Sequence, residues 1–187
     1  MTKLPSLLLA LSLAGCVAVP VPTEVTKSKP FTVTIPASVA PSKAAGPVPT
    51  ERCARPAAAR SYETAVLKQV NAHRANAGLP GLRRSSRISA IAQNHACDNA
   101  SRQTISHNSA NGATISHRLK AGGYTLRLAA ENTGLGFVDS PERMVQYWMN
   151  SPGHRANILR PGLTEAGLGY AASSARPAWV LDMATPR

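Results

Sequence analysis

Trp148-Met149-Asn150-Ser151-Pro152-Gly153-His154-Arg155-Ala156-Asn157-Ile158-Leu159 is the stretch on which the reading of this 187-residue chain turns. It joins two helix signals. Upstream, Ser140 can cap a helix, Pro141 sits where its missing N–H is harmless, and Glu142 lies near the positive end of the dipole. Met144, Val145, Trp148 and Met149 share the inward face of that helix. Ser151-Pro152 then opens a second, short helix that runs through His154 to Leu159.

Working outward, the spacing predicts a first helix over 62–77. Ser61 is its cap, Val66, Leu67 and Val70 form its apolar stripe, and Gly78 ends it. A second helix starts after Ser85 or Ser86, with Ile88, Ile91, Ala92, His95 and Ala96 on one side. A polar loop from Ser106-His107-Asn108 to Asn111-Gly112 precedes a short helix over 115–121, stopped by Gly122-Gly123. Strands are expected near 127–132, 166–172 and 178–183. Helices on both sides of a small antiparallel sheet make an α+β domain with one core. At 43% hydrophobic the chain can bury one, and with 4% aromatics that core leans on Ala, Leu, Val and Ile. The length allows one ordinary domain plus a tail.

The net charge of +12 favours anionic partners: nucleic acid, anionic lipid or acidic envelope polymers. No Lys/Arg run is interleaved with aromatics, so no nucleic-acid partner is expected. The N-terminus carries Lys3, an apolar run over 7–13, then Ala14-Gly15-Cys16, which is a secretory signal over 1–16. That run falls short of the ~20 residues that span a bilayer as a helix. Residues 17–60 are rich in Pro, Ala, Val and Thr and hold no helical or strand period, so they form a disordered tether. Its part up to Arg52 would reach ~110 Å as polyproline and roughly 30 Å as a coil. Phe31-Thr32-Val33-Thr34-Ile35 has strand character, but its flanking prolines argue against a strand. The domain proper is 61–187.

Leu13-Ala14-Gly15-Cys16 resembles the lipobox of bacterial lipoproteins. The resemblance implies that Cys16 is acylated, palmitate-fashion, and becomes the new N-terminus. Several acyl chains at ~0.8 kcal/mol per buried CH₂ would anchor it firmly to a membrane. Val17, rather than Asp, by the same resemblance disfavours retention in an inner membrane, so an extracytoplasmic, outer-membrane location is expected. With Cys16 lipidated, Cys53 and Cys97 remain, and an oxidising compartment makes them one disulfide; two buried thiols are the alternative.

The order of motifs extends the pattern: Ser106-His107, Arg118-Leu119-Lys120-Ala121-Gly122-Gly123-Tyr124, Glu131-Asn132-Thr133, the block quoted first, then Glu165-Ala166-Gly167-Leu168-Gly169-Tyr170. This order resembles the CAP superfamily (cysteine-rich secretory proteins, antigen 5, plant pathogenesis-related 1; the SCP domain) in its short bacterial form. The resemblance implies an α-β-α sandwich with a cleft that two His and two Glu line in many members, some of which bind a divalent metal. Motif by motif, His107, Glu131 and His154 take three of those positions. Where eukaryotic members place the fourth Glu, this chain has Asn150 and Ser151, so the strand-leading Glu165 becomes the fourth. Neutral imidazoles and carboxylates suit Zn²⁺; a self-satisfied hydrogen-bonded cluster is the alternative.

The remaining candidates read as structural. His95, Trp148 and Tyr170 are core, His73 is helical and His117 faces solvent. Ser109, Ser140 and Ser151 match no nucleophile motif. Arg155 and Asn157 cross-link the turn after His154 to the sheet. The expected function is a monomeric binding module for a lipid, peptide or cell-envelope ligand. A metal-assisted, peptidase-like hydrolase using the same cleft and structural adhesion to anionic envelope polymers are the alternatives.

Overall fold

The computed structural model describes Cys53 and residues 55–187. The expected signal, the expected lipidation of Cys16, and the expected tether up to residue 52 lie outside the described residues. The elements run α1 (Ala59–Asn76), β1 (Arg83–Arg84), α2 (Ser86–Arg102), α3 (Ile115–Ala121), β2 (Leu126–Leu135), α4 (Pro141–Asn150), α5 (Pro152–Ile158), β3 (Glu165–Ala171) and β4 (Ala178–Pro186).

The first helix starts earlier than its cap signal suggested. Ser61 Oγ does not accept a capping bond; it donates to Ala58 O at 2.8 Å. The helix is nucleated by the turn after Pro56, with Ala59 N donating to Pro56 O at 2.9 Å. Ala is the best helix former, so the Ala57-Ala58-Ala59 run extends the helix upstream. Gly78, with φ of 70°, follows the C-cap and ends it as expected. Ser85 Oγ accepts from Ile88 N and caps α2, whereas Ser140 and Ser151 hold cap positions without a side-chain bond. The expected disulfide is present: Cys53 is bonded to Cys97 on α2.

The sheet order is β1-β3-β4-β2. The three long strands are antiparallel neighbours. Against expectation the sheet is mixed, because the two-residue β1 runs parallel to β3, with Arg83 N bonded to Thr164 O and Ser85 N to Ala166 O. Two arginines in a row carry no strand period, so nothing in the sequence marked them.

Strand alternation divides the side chains between two helical layers. On one face, Ala171, Ala178, Val180 and Ala184 meet α2 and α3 through Ala92, Ala96, Ile88 and Leu119. On the other, Leu168, Tyr170, Trp179, Leu181 and Met183 meet Val66, Val70, Met144, Trp148 and Ile158 of α1, α4 and α5. Gly167 and Gly169 bring α2 against the sheet. A Cβ at Gly167 would lie 2.2 Å from Ser89 N, and one at Gly169 would lie 2.2 Å from Ala92 O. Gln93 then closes the contact, donating to Tyr170 O and accepting from Tyr170 N, both at 3.0 Å. The Gly-x-Gly of β3 is therefore a helix-packing device.

Strand β2 forms one edge of the sheet, and side chains cover its outward carbonyls. Trp148 Nε1 donates to Thr133 O at 3.0 Å, Asn157 Nδ2 to Glu131 O at 2.9 Å, and Arg160 Nη1 reaches Ala129 O at 3.5 Å. Two of those donors belong to the Trp148–Leu159 block. That block roofs the sheet edge as well as supplying core.

Candidate functional site

Glu131 lies on the α2 side of β2 and is 4% exposed. Its neighbour Asn132 points to the opposite face, where its Nδ2 donates to His154 O at 3.0 Å. Asn157 Nδ2 donates to Asn132 Oδ1 at 3.0 Å. His107 comes from the α2–α3 loop and His154 from the first turn of α5. The two histidines thus approach from opposite faces and meet over the β2 edge. Of the two residues expected to cross-link this turn, Asn157 does so; Arg155 is exposed and contributes no such side-chain bond.

Both oxygens of Glu131 are engaged. Oε1 lies 2.8 Å from His107 Nδ1. Oε2 accepts from Arg118 Nη2. Arg118 is itself 2% exposed and also donates to His107 O at 3.0 Å and Ala113 O at 2.8 Å. Burial opposes the Glu131 charge most strongly, but His107, Arg118 and His95 together outweigh it and hold its pKa below the usual value. The Glu131 hydrogen bond raises the His107 pKa. Burial first, and the His107 charge second, lower that of His154. Of the two imidazoles, His107 therefore holds a proton more readily than His154.

Behind this pair lies a second layer. His95 is 1% exposed; its Nε2 donates to Ser106 O at 2.8 Å, and Ser109 Oγ donates to its Nδ1 at 3.3 Å. His95 is the satisfied core residue its helical spacing implied, 3.8 Å from Glu131 Oε2. Asp182 faces Glu131 across the strand pair and is fully buried. Its carboxyl meets no N–H or O–H donor among the described residues. Burial first, and the Glu131 charge second, push its pKa well above the usual carboxylate value. The sequence signal for it was an acid inside the apolar run Ala178-Trp179-Val180-Leu181-Asp182-Met183.

Glu165 is not brought to this cluster. It pairs in register with Ala184, which pairs with Ala129. That is two strands away from Glu131 and two residues along, roughly 12 Å between Cα atoms. Its carboxylate instead accepts from Arg83 and, at 2.8 Å, from Tyr124 Oη. Chain order placed Glu165 in the set; strand register takes it out.

The donor set bears on a metal. Glu131 has no free oxygen and an arginine beside it. What remains is His107, whose Nδ1 is taken, and His154, whose buried Nδ1 has no partner among the described residues. Two imidazoles fall short of the three or four protein ligands that zinc takes. No set of three ligating side chains is assembled among the described residues. The residues present do not form a metal cage.

A groove with both apolar and polar walls lies beside His154. A cavity of about 340 Å³ is lined by Ile105, Leu135, Phe137, Tyr147, Gln103 and Arg176, among others. Among the described residues, the exposed large apolar side chains are Ile105 at 52%, Val138 at 66% and Tyr147 at 37%. Two of them line this groove, and Val138 follows one of its lining residues. The Tyr147 ring lies 5.8 Å from that of His154. Ile105 and Tyr147 were outside the sequence-derived site: Ile105 sits in a loop that carries no periodic signal, and Tyr147 lies on the exposed side of α4, off its apolar stripe.

A sheet between two helical layers, with a His/Glu cluster over one edge, defines a CAP-type (SCP) domain, as the motif order implied. The profile of the cysteine-rich secretory protein family matches residues 67–183, and the chain belongs to that family. YkwD of Bacillus subtilis is 34% identical over 118 residues, 63% of this chain and 46% of that protein. The membrane protein YlbC of the same organism is 31% identical over 107 residues, 57% of this chain and 31% of that one. The chain thus spans less than half the length of these curated relatives. An extracellular SCP-domain protein of Bacillus anthracis superposes with a TM-score of 0.60 at 25% identity, over 67% of this chain and 40% of that one. An outer surface protein of Borrelia burgdorferi shares the fold, with a TM-score of 0.61 at 18% identity over 66% of this chain and 92% of that one. At the general level these relationships support an extracytoplasmic binding-type module. No helix among the described residues is long and apolar enough to cross a membrane.

Proposed function

We propose that the chain is a binding module held outside the cytoplasm by a lipid on Cys16, and that its cleft takes an amphipathic, lipid-like ligand of the cell envelope. The head of such a ligand, a carboxylate or carbonyl, would sit at His107, and its apolar body would lie in the groove of Ile105, Leu135, Phe137 and Tyr147. The observation that carries this reading is the saturation of Glu131 by Arg118 and His107. A carboxylate so engaged orients its histidine and is not free to deprotonate a water. His107 is left with its second ring nitrogen for a partner, its side chain 58% exposed. Ser109, the serine that contacts a histidine here, is 5% exposed, behind the cleft. The arrangement favours holding a ligand over cleaving one.

The full chain, purified in detergent from the membranes that produce it, tests this. Solvent extraction and mass spectrometry should recover an amphipathic compound, and Tyr147→Ala and His107→Ala should each reduce its occupancy. Recovery of nothing, with no uptake from an envelope lipid extract, would sink the reading. Elemental analysis of the same preparation addresses the hydrolase alternative: a full equivalent of divalent metal and peptide turnover would favour that reading instead. Cys16→Ser should release the protein from the membrane fraction.

A further inference from the structure

Among the described residues, one end of the sheet carries a group of exposed cations with no exposed carboxylate among them. At the end where β2 starts and β4 finishes stand Arg83, Arg87, Lys120, Arg127 and Arg160, all exposed. The carboxylate among them is Glu165, already engaged by Arg83 and Tyr124. Elsewhere, the buried carboxylates Glu63, Asp98 and Glu131 are matched by Arg84, Arg102 and Arg118. Among the described residues, the exposed carboxylates are Asp139 and Glu142, and both lie at the opposite end of the sheet, beyond Leu135. Exposed cations such as Arg60, Lys68, Arg143 and Arg155 occur elsewhere too; what marks this end is a group of them with no exposed carboxylate among them.

That end also has a concavity of about 430 Å³, walled by Arg87, Tyr124, Thr125 and Arg187 and by Glu165, whose carboxylate is already engaged by Arg83 and Tyr124. Arg87 is held in place by its bond to Gly123 O at 2.6 Å. We propose that this end is a second binding site, independent of the cleft, for an acidic polymer of the envelope bearing phosphate or carboxylate repeats. One anionic group would enter the concavity, and its neighbours along the polymer would pair with Lys120, Arg127 and Arg160.

Two observations select a polymer over other polyanions. The exposed large apolar side chains lie at the far end, so nothing here inserts into a bilayer as peripheral membrane binders do. Tyr124 is 7% exposed and offers no ring face for nucleobases to stack on.

The test uses the full chain carrying Cys16→Ser, so that no lipid competes. It measures binding to poly(glycerol phosphate), to phosphatidylglycerol vesicles, which share the glycerol phosphate group, and to an oligodeoxythymidine. The expected result is salt-sensitive polymer binding that exceeds both other probes. Lys120→Glu with Arg127→Glu should weaken it about tenfold or more, since two attractions become two repulsions. Arg60→Glu with Lys68→Glu shifts the net charge equally on exposed positions of α1 and should leave binding within about twofold. Equal loss from both pairs would show bulk charge and not a site, and would overturn the proposal. So would vesicle or oligonucleotide binding as tight as that of the polymer.

Discussion

Replacing Arg118 by Met should destabilise the domain more at neutral pH than in acid. Arg118 is 2% exposed and serves three acceptors: Glu131 and the carbonyls of His107 and Ala113. Met keeps the stem and removes the guanidinium, leaving the buried Glu131 charge without its arginine and with the two histidines, His107 and His95, to offset it. Breaking one partner of a buried pair costs ~3–5 kcal/mol, a large share of the ~5–15 kcal/mol that holds a domain together. With a urea m-value of about 2 kcal/mol/M, the midpoint should fall by roughly 2 M at pH 7 with m unchanged. The sign of the pH dependence follows from Glu131. Its folded pKa is depressed, so the stability it adds is present above its unfolded pKa and is lost as pH falls through the folded value. In Arg118→Met that carboxyl protonates more readily, so the gap from the parent should narrow on acidification below pH 5. Arg118→Met combined with Glu131→Gln should cost less than the sum of the single variants. A loss under ~1 kcal/mol at pH 7, or a gap constant with pH, would refute the view that Arg118 holds the Glu131 charge.

Three other outcomes follow from the same contacts. Gly169→Ala places a methyl 2.2 Å from Ala92 O and pushes α2 off Tyr170; urea unfolding should show a loss of ~3 kcal/mol, while Gly153→Ala, with nothing within 4 Å, should not destabilise. Cys53→Ser opens a loop of 44 residues' separation and should lower stability by ~4 kcal/mol under oxidising conditions, an effect absent when the parent is reduced. By NMR, His107 should titrate above its ordinary value in the parent and fall in Glu131→Gln. Because that pKa is raised on folding, its stabilisation is complete below the unfolded value and is lost as pH rises through the folded one.

The elements that were legible in sequence are those with a local cause. Pro141 and Pro152 start helices, Gly78 stops one, and the apolar spacing of α4 names its buried face. His107, Glu131 and His154 were also legible, each inside a short motif. Glu165 was placed with them by motif order; only the pairing of β3 with β4 shows how far away it lies. Arg118 was in view within its motif, without a role, since its partner Glu131 is thirteen positions along the chain. β1 and the earlier start of α1 were missed for complementary reasons. The first is too short to carry a period, and the second rests on an alanine run that no cap announces.

With the proposed anchor on Cys16 the protein would be gathered on a surface, and there the side chains laid over the outer carbonyls of β2 would matter most. Molecules confined to two dimensions meet far more often than in solution, and a bare strand edge would let each template the next into a lengthening ribbon. At the other border β1 offers only two residues to such growth. Trp148, Asn157 and Arg160 close the longer border by turning its acceptors inward to the same polypeptide. A crowded population can then remain individual molecules, and an Asn157→Ala substitution would be felt first as self-association.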